Sequence, residues 1–171
     1  AEKHGAHVPY QRAEKLAHDP YGVADVLLDF LQLHPNFAQY EYAVILSATT
    51  PFVEPQDLIE SRDMMFRQEK GAVMSVTSTG HNALRSLHLR AGQLHPVSEA
   101  HLNKKSQELE ETYRINGATI WVNLADFMAA KTYFLQPWAG HVMPIERSVD
   151  IDYQHDFNYA QFLLKNKKSQ A

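Results

Sequence analysis

The first half of the chain alternates between helical and extended hydrophobic patterns. Apolar residues three and four positions apart predict a helix over residues 22–33, and Pro55 opens a second predicted helix over 55–68. Short, continuous apolar runs at 42–46 and 72–77 are typical of strands, and the first fits a central parallel strand that is buried on both faces. This strand–helix–strand order predicts a right-handed crossover in an α/β sheet.

The second half is less regular. Residues 78–112 are too polar for a core element and too long for a plain loop, so they form either a surface excursion or an arm that packs on a partner subunit. Further on, the pattern predicts a strand, a short helix, an edge strand marked by Pro144 and a closing amphipathic segment, at 119–123, 126–130, 141–144 and 157–164. Near the start of the chain, residues 7–12 also suggest a short strand.

An Asp-x-Asp pair lies just before the closing segment. In an extended backbone, Asp150 and Asp152 would point to one side, and Val149 and Ile151 to the other. Mg²⁺ suits such a pair, because this ion is commonly held by one or two carboxylates and completes its shell with water and phosphate. The alternative is a pair of solvated or helix-capping acids.

The composition narrows the possible classes. The chain has 171 residues, 44% apolar and 21% charged, which is typical of one globular domain. A net charge of −4 without a basic stripe argues against a nucleic-acid partner. The absence of cysteine excludes disulfides and thiolate chemistry, and is compatible with the cytoplasm, the compartment we expect. The apolar runs are too short to span a membrane.

Two other enzyme classes are disfavoured by the motifs. The ten histidines offer no tight pair on one helix face, which argues against a histidine-metal hydrolase. No Gly-x-Ser-x-Gly elbow occurs, which argues against a serine hydrolase.

Four segments resemble one enzyme family, in the right order along the chain. Residues 12–19 are similar to Arg-Pro-x-x-Leu-Ala-x-Asp, 46–52 to Leu-Gln-Pro-Thr-Ser-Pro-Leu, 113–118 to Tyr-Arg-x-Asn-Gly-Ala and 148–157 to Ser-Ile-Asp-Ile-Asp-x-x-x-Asp-Phe. These motifs resemble those of the cytidylyltransferases that activate nine-carbon acidic sugars, the CMP-sialic acid synthetase group. The resemblance implies a Rossmann-like, three-layer nucleotidyltransferase domain over 1–171, with a mostly parallel sheet and a protruding dimerisation arm at 78–112.

The resemblance also implies a reaction. The anomeric hydroxyl of a sialic- or legionaminic-type (nonulosonic) acid would attack the α-phosphorus of CTP, giving a CMP-sugar and pyrophosphate. Asp150 and Asp152 would be the catalytic carboxylates and would hold the cofactor Mg²⁺. Arg12 and Thr49 would bind the nucleotide, although Arg12 also fits a surface ion pair.

The sugar site implied by the resemblance would be shared between the two subunits of a homodimer. Arg85 and Lys105, on the exchanged arm, would place their positive charges near the carboxylate of the sugar. The other substrate-binding positions implied by the family motifs are Arg114, Asn116, Gly117, Tyr133 and Phe134. Plain core packing is the alternative for the last two, which are aromatic.

Some features leave the exact activity open. The family opens with a Gly- and Lys-containing loop that cradles the triphosphate, and no such loop occurs here, so we expect the domain to be incomplete at its N-terminus and inactive alone. Ser47, Val53 and Ser106 depart from the family pattern on the sugar side, which leaves the particular acid undetermined. The alternatives are a non-catalytic, dimerising ligand-binding remnant and another Asp-x-Asp metal-dependent sugar nucleotidyltransferase.

Overall fold

A computed structural model describes residues 1–168 and has a mixed α/β architecture. The α-helices are α1 (Val23–Leu33), α2 (Pro55–Gln68), α3 (Leu124–Ala130) and α4 (Gln154–Lys168). The strands are β1 (Tyr42–Leu46), β2 (Ala72–Ser78), β3 (Leu87–Arg90), β4 (Gln93–Pro96), β5 (Tyr113–Asn123) and β6 (Trp138–Val142). Among the described residues, no helix combines the length and the apolar character that a membrane crossing requires.

The main sheet has four strands in the order β1-β5-β2-β6, and it is mostly antiparallel and partly parallel. The predicted mixed α/β class is therefore confirmed, whereas the predicted mostly parallel sheet is wrong. Strand β5 lies between β1 and β2, so α2 connects two strands that are not neighbours. Strand β1 consequently lies at an edge of this sheet rather than at its centre, and Leu46 at its end is exposed.

Several predicted elements shift or disappear. Residues 7–12 form no regular strand. Strand β5 extends well beyond the predicted 119–123, because it includes the Tyr-Arg-Ile-Asn-Gly-Ala segment from Tyr113. Strand β6 is an edge strand as predicted, but it ends at Val142, before Pro144. The acid pair lies in irregular backbone rather than in a strand.

The chain divides into two compact units, each assembled from three separate stretches. The first unit comprises Ala1–Ile45, Ser61–Val73 and Ile120–Ala139. Its interior is apolar, with Met65, Val122 and Phe127 fully buried. Burying a side chain of this size stabilises a fold by about 1.5–3 kcal/mol, so these residues hold the first unit together.

The second unit comprises Leu46–Glu60, Met74–Thr119 and the chain from Gly140. Many of its buried side chains are polar, among them Ser75, Asn116 and Ser148. Buried polar groups require hydrogen bonds, and Ser75 illustrates the pattern: its hydroxyl accepts from the Thr119 N–H at 2.7 Å and lies 3.1 Å from the Thr119 carbonyl. Directional bonds therefore fix the geometry of this unit.

Strands β3 and β4 form an antiparallel hairpin in the second unit. Ala91 and Gly92, at φ 49° and 79°, form its two-residue turn, and both angles are typical of the type I′ turns that close hairpins. The register places Leu89 opposite Leu94 and His88 opposite His95. Successive side chains alternate between faces, so the hairpin has one leucine face and one histidine face.

Candidate metal and substrate site

Three segments of the second unit meet around the acid pair: the loop after β1, the middle of β5 and the chain before α4. The Ile151 N–H donates to the Thr49 carbonyl at 2.9 Å. Gly117 has φ +72°, and a Cβ atom at this position would lie 3.2 Å from Asp150 Oδ2. The structure therefore brings Thr49, Gly117 and Asp150 together, although they are far apart in the sequence.

The loop after β1 is ordered by hydroxyl hydrogen bonds. The Thr50 hydroxyl is buried and donates to the Ser47 carbonyl at 2.9 Å, so it supports the loop. The Ser47 and Thr49 hydroxyls lie 2.7 Å apart. Because Thr49 is exposed, its hydroxyl is accessible from solvent while its backbone holds the acid segment.

The acid pair combines a half-buried and an exposed carboxylate. Val149 is only 8% exposed and anchors the segment, Asp150 is half-buried and Asp152 is exposed. Asp150 Oδ1 is buried and has no hydrogen-bond partner among the described residues. An unsatisfied buried carboxylate oxygen is costly, and a bound cation would satisfy it. On this observation Asp150 fits Mg²⁺, and the sharing of the ion with Asp152 stays a prediction.

A metal at this position would have few protein ligands. Within residues 1–168, no three side chains of histidine, aspartate or glutamate converge in a way that could hold a metal ion. Asp150 and Asp152 would thus leave most of the coordination shell to water and phosphate oxygens. This is the coordination that Mg²⁺ commonly adopts in nucleotide enzymes.

A different aspartate caps helix α4. Asp156 Oδ2 accepts the Tyr153 N–H at 2.8 Å and the Asp152 N–H at 3.2 Å. A carboxylate in the first turn is favourable because it satisfies free N–H groups of the helix. Asp156, rather than Asp150 or Asp152, therefore caps α4. The side chain of Asp152 is exposed.

The side chain of Asn116 is buried and hydrogen-bonds to other residues of the protein. It is 1% exposed, its Nδ2 donates to Ser148 Oγ at 2.9 Å, and its Oδ1 accepts the Ala118 N–H at 3.2 Å. Ser148 Oγ in turn donates to the Pro144 carbonyl at 2.8 Å, and the exposed Arg114 donates to the Ser148 carbonyl at 3.4 Å. These bonds fix the residue just before Val149. Substrate contacts from Asn116 and Arg114 stay predictions.

A buried charged cluster lies at the start of α2. Asp57 is 2% exposed, and its Oδ2 accepts the Glu54 N–H at 2.8 Å and a short hydrogen bond from Arg147. Its Oδ1 lies 3.2 Å from His141 Nε2. Sequence reasoning missed this cluster, because a Glu-Pro-x-Asp segment resembles an ordinary helix start and gives no hint of partners elsewhere in the chain.

The cluster determines how Asp57 titrates. Burial alone would raise the pKa of Asp57, but hydrogen bonds from Arg147, from the Glu54 backbone and from His141 outweigh burial and lower it. A pKa that is lower in the folded than in the unfolded state stabilises the fold above the ordinary carboxyl pKa of about 4. This stabilisation is lost as the pH falls through the folded-state pKa.

Of the two basic residues assigned to the arm, Arg85 lines a cleft. The cleft has a volume of about 570 Å³ and is lined by residues at the end of β2 and within 78–112, including Arg85, Asn82 and Ser106. Arg85 Nη1 donates to Ser106 Oγ at 3.0 Å, and Lys105 is exposed. The second unit thus places Arg85 in a polar cleft with a hydroxyl partner.

The remaining candidates belong to the first unit. Arg12 is exposed and lines a cavity of about 260 Å³ together with Leu16 and other residues. The rings of Tyr133 and Phe134 lie 4.6 Å apart, and Phe134 is 50% exposed. The Phe134 ring also lies 5.8 Å from the Trp138 ring, and Tyr133 is half-buried. Substrate contacts from both residues stay predictions.

A search of protein-family models finds none that matches this chain.

Proposed function

We propose that the protein is a Mg²⁺-dependent cytidylyltransferase that transfers CMP from CTP to the anomeric hydroxyl of a sialic- or legionaminic-type acid. The observation that carries this proposal is the buried Asp150 Oδ1, which has no hydrogen-bond partner within residues 1–168 and lies beside Thr49 and Gly117. Three of the four segments that resemble the family are joined here by direct contacts: Ile151 with Thr49, and Asn116 with Ser148.

Each residue would contribute through position and charge. Mg²⁺, when bound to Asp150 and Asp152, would offset the negative charge of the phosphates. The exposed Thr49 hydroxyl would hydrogen-bond substrate, and the absence of a side chain at Gly117 would keep the space beside Asp150 open. Arg85 has the charge and the hydrogen-bond donors that a sugar carboxylate requires.

The assay for this proposal is release of pyrophosphate by the full natural protein. The mixture contains CTP, Mg²⁺ and either a sialic or a legionaminic acid, and the matched controls replace CTP by UTP or add EDTA. We expect release only with CTP, metal and acid together, and formation of the CMP-sugar. Binding of CTP and acid without turnover would instead support a non-catalytic, ligand-binding protein and would contradict the proposal.

Gly117→Ala tests the space beside Asp150. Both this variant and Gly92→Ala force a side chain onto a positive φ, which costs about 1–2 kcal/mol. Only the alanine at Gly117 has a neighbour within 4 Å, namely Asp150 Oδ2. We therefore expect similar losses of stability, but a roughly tenfold weaker binding of Mn²⁺ with CTP for Gly117→Ala alone. The measurement is electron paramagnetic resonance of free Mn²⁺, and equal affinities would contradict this account.

A homodimer is part of the proposal, and the hairpin is its expected contact. Leu89 and Leu94, a cross-strand pair, are 71% and 63% exposed, a large apolar surface for two small strands. Introducing a carboxylate into an apolar interface is costly. We expect Leu89→Asp to be monomeric by light scattering, while His88→Asp, with the same new charge on the opposite face, remains dimeric. A monomeric unmodified protein would contradict the dimer.

A further inference from the structure

We infer that Asp57 is a positioning residue for the acid pair and acts on it through Arg147. Asp57 was not among the residues that the family resemblance implies, and it contacts neither Asp150 nor Asp152 among its described hydrogen bonds. The importance of this role for catalysis rests on the proposed function. The mechanical role itself is a property of the folded chain and can be measured without metal or nucleotide.

Asp57 is a rigid anchor. It lies in the first turn of α2, where Pro55 begins the helix, and its carboxylate accepts the Glu54 N–H as in a capping box. With Arg147 on Oδ2 and His141 on Oδ1, both of its oxygens are engaged. Because the side chain is 2% exposed, water cannot readily replace a lost partner, and rotation of the carboxylate would break several bonds at once.

Arg147 transmits this constraint to the acid pair. It lies directly before Ser148, which Asn116 holds through its hydroxyl, and three positions before Asp150. On the other side of Asp150, the Ile151 N–H is held by Thr49. The segment is therefore fixed at Arg147, Ser148 and Ile151. The short chain between these points carries Asp150 Oδ1, which has no hydrogen-bond partner in the described part of the chain.

The contact between Arg147 and Asp57 is the ion pair among these three attachments. Arg147 also lies 3.8 Å from Glu54, which is far more exposed than Asp57. Loss of the Asp57 charge would leave a partly buried guanidinium without its main partner, and Arg147 would then turn towards solvent or Glu54. That movement would loosen the backbone immediately before the acid pair.

Hydrogen exchange of the Ile151 amide in Asp57→Asn tests this inference directly. Asparagine preserves the shape of the side chain and can still accept the Glu54 N–H, but it removes the charge. We expect the protection factor of Ile151 to fall at least tenfold more than that of Thr79, whose N–H is bonded to the Thr112 carbonyl at 3.0 Å. Equal losses at both amides, or no loss at Ile151, would overturn the inference.

The matched control is Asp63→Asn, which removes another carboxylate of α2. Asp63 is partly exposed and pairs with its neighbour Arg62 at 2.7 Å, so Ile151 should exchange as in the unmodified protein. If Asp57→Asn does not fold, Arg147→Lys takes its place: it keeps the positive charge but loses the planar fork of the guanidinium. The same selective loss at Ile151 is then expected, and its absence counts equally against the inference.

Catalysis supplies a second readout that general destabilisation would not change. In the full natural protein, we expect Asp57→Asn to raise the Mg²⁺ concentration for half-maximal pyrophosphate release about tenfold. A role in stability alone would lower the melting temperature and leave this concentration unchanged. Should the protein release no pyrophosphate at all, the proposed function fails, while the exchange result still decides whether Asp57 positions the acid segment.

Discussion

Asp152→Asn is expected to remove most Mg²⁺-dependent CMP transfer by the full natural protein and to leave its melting temperature unchanged. The carboxylate is exposed, so amidation disturbs no packing, but it removes half of the charge available to the metal. Losing one group that stabilises charge in a transition state typically costs about 10²–10³ in turnover. Pyrophosphate release at saturating CTP and calorimetry on the same samples measure both effects.

Asp150→Asn should lower turnover by a similar factor without loss of stability, because Oδ1 has no hydrogen bond to lose within the described chain. Glu146→Gln is the matched control: it neutralises an exposed acid in the turn just before Arg147. This control should keep full activity. Unaltered Mg²⁺-dependent turnover in either aspartate variant, or an equal loss in the control, would remove the metal assignment.

Gly71→Ala is expected to cause the largest loss of stability. Gly71 has φ +73°, and a Cβ atom there would lie 2.3 Å from the Pro137 carbonyl oxygen and 2.8 Å from the Pro137 nitrogen. Both neighbours are backbone atoms and cannot turn away. Positive φ costs about 1–2 kcal/mol and overpacking typically about 1–3 kcal/mol more, so the variant should lose about 3–5 kcal/mol or fail to fold.

Gly92→Ala separates the cost of backbone strain from the cost of overpacking. Its φ of +79° is similar, but nothing lies within 4 Å of the added Cβ atom. We expect a loss of only about 1–2 kcal/mol from backbone strain. Urea unfolding of both variants measures the difference. Equal losses would mean that the close approach of Pro137 is relieved by a small shift of the backbone.

Local patterns predicted local structure well. Helices α1 and α2 and strands β1 and β2 were found because hydrophobic spacing, Pro55 and Gly71 mark their ends within a few residues. The strand order was not found, because the choice of neighbour depends on contacts between distant segments. The sequence of β5 has the pattern of an ordinary strand, and nothing in it indicates that this strand lies between β1 and β2.

The candidate site was likewise predicted only where short motifs mark it. The acid pair was predicted from its Asp-x-Asp spacing, and Gly117 from the resemblance of residues 113–118 to a family motif. The pairing of Asp57 with Arg147, 90 positions apart, was not predicted, because no sequence motif links the two residues. Their partnership arises only when the start of α2 and the segment before Ser148 pack in the same unit. Buried charged networks of this kind are therefore hard to predict from one sequence.

Diffraction from crystals of the protein grown with CTP and Mn²⁺ tests the central claim most directly. The claim is that Asp150 and Asp152 share a divalent ion with a bound nucleotide. We predict an anomalous manganese peak within bonding distance of both carboxylates and of phosphate oxygens. A nucleotide bound elsewhere, or the two carboxylates turned away from any manganese, would contradict it.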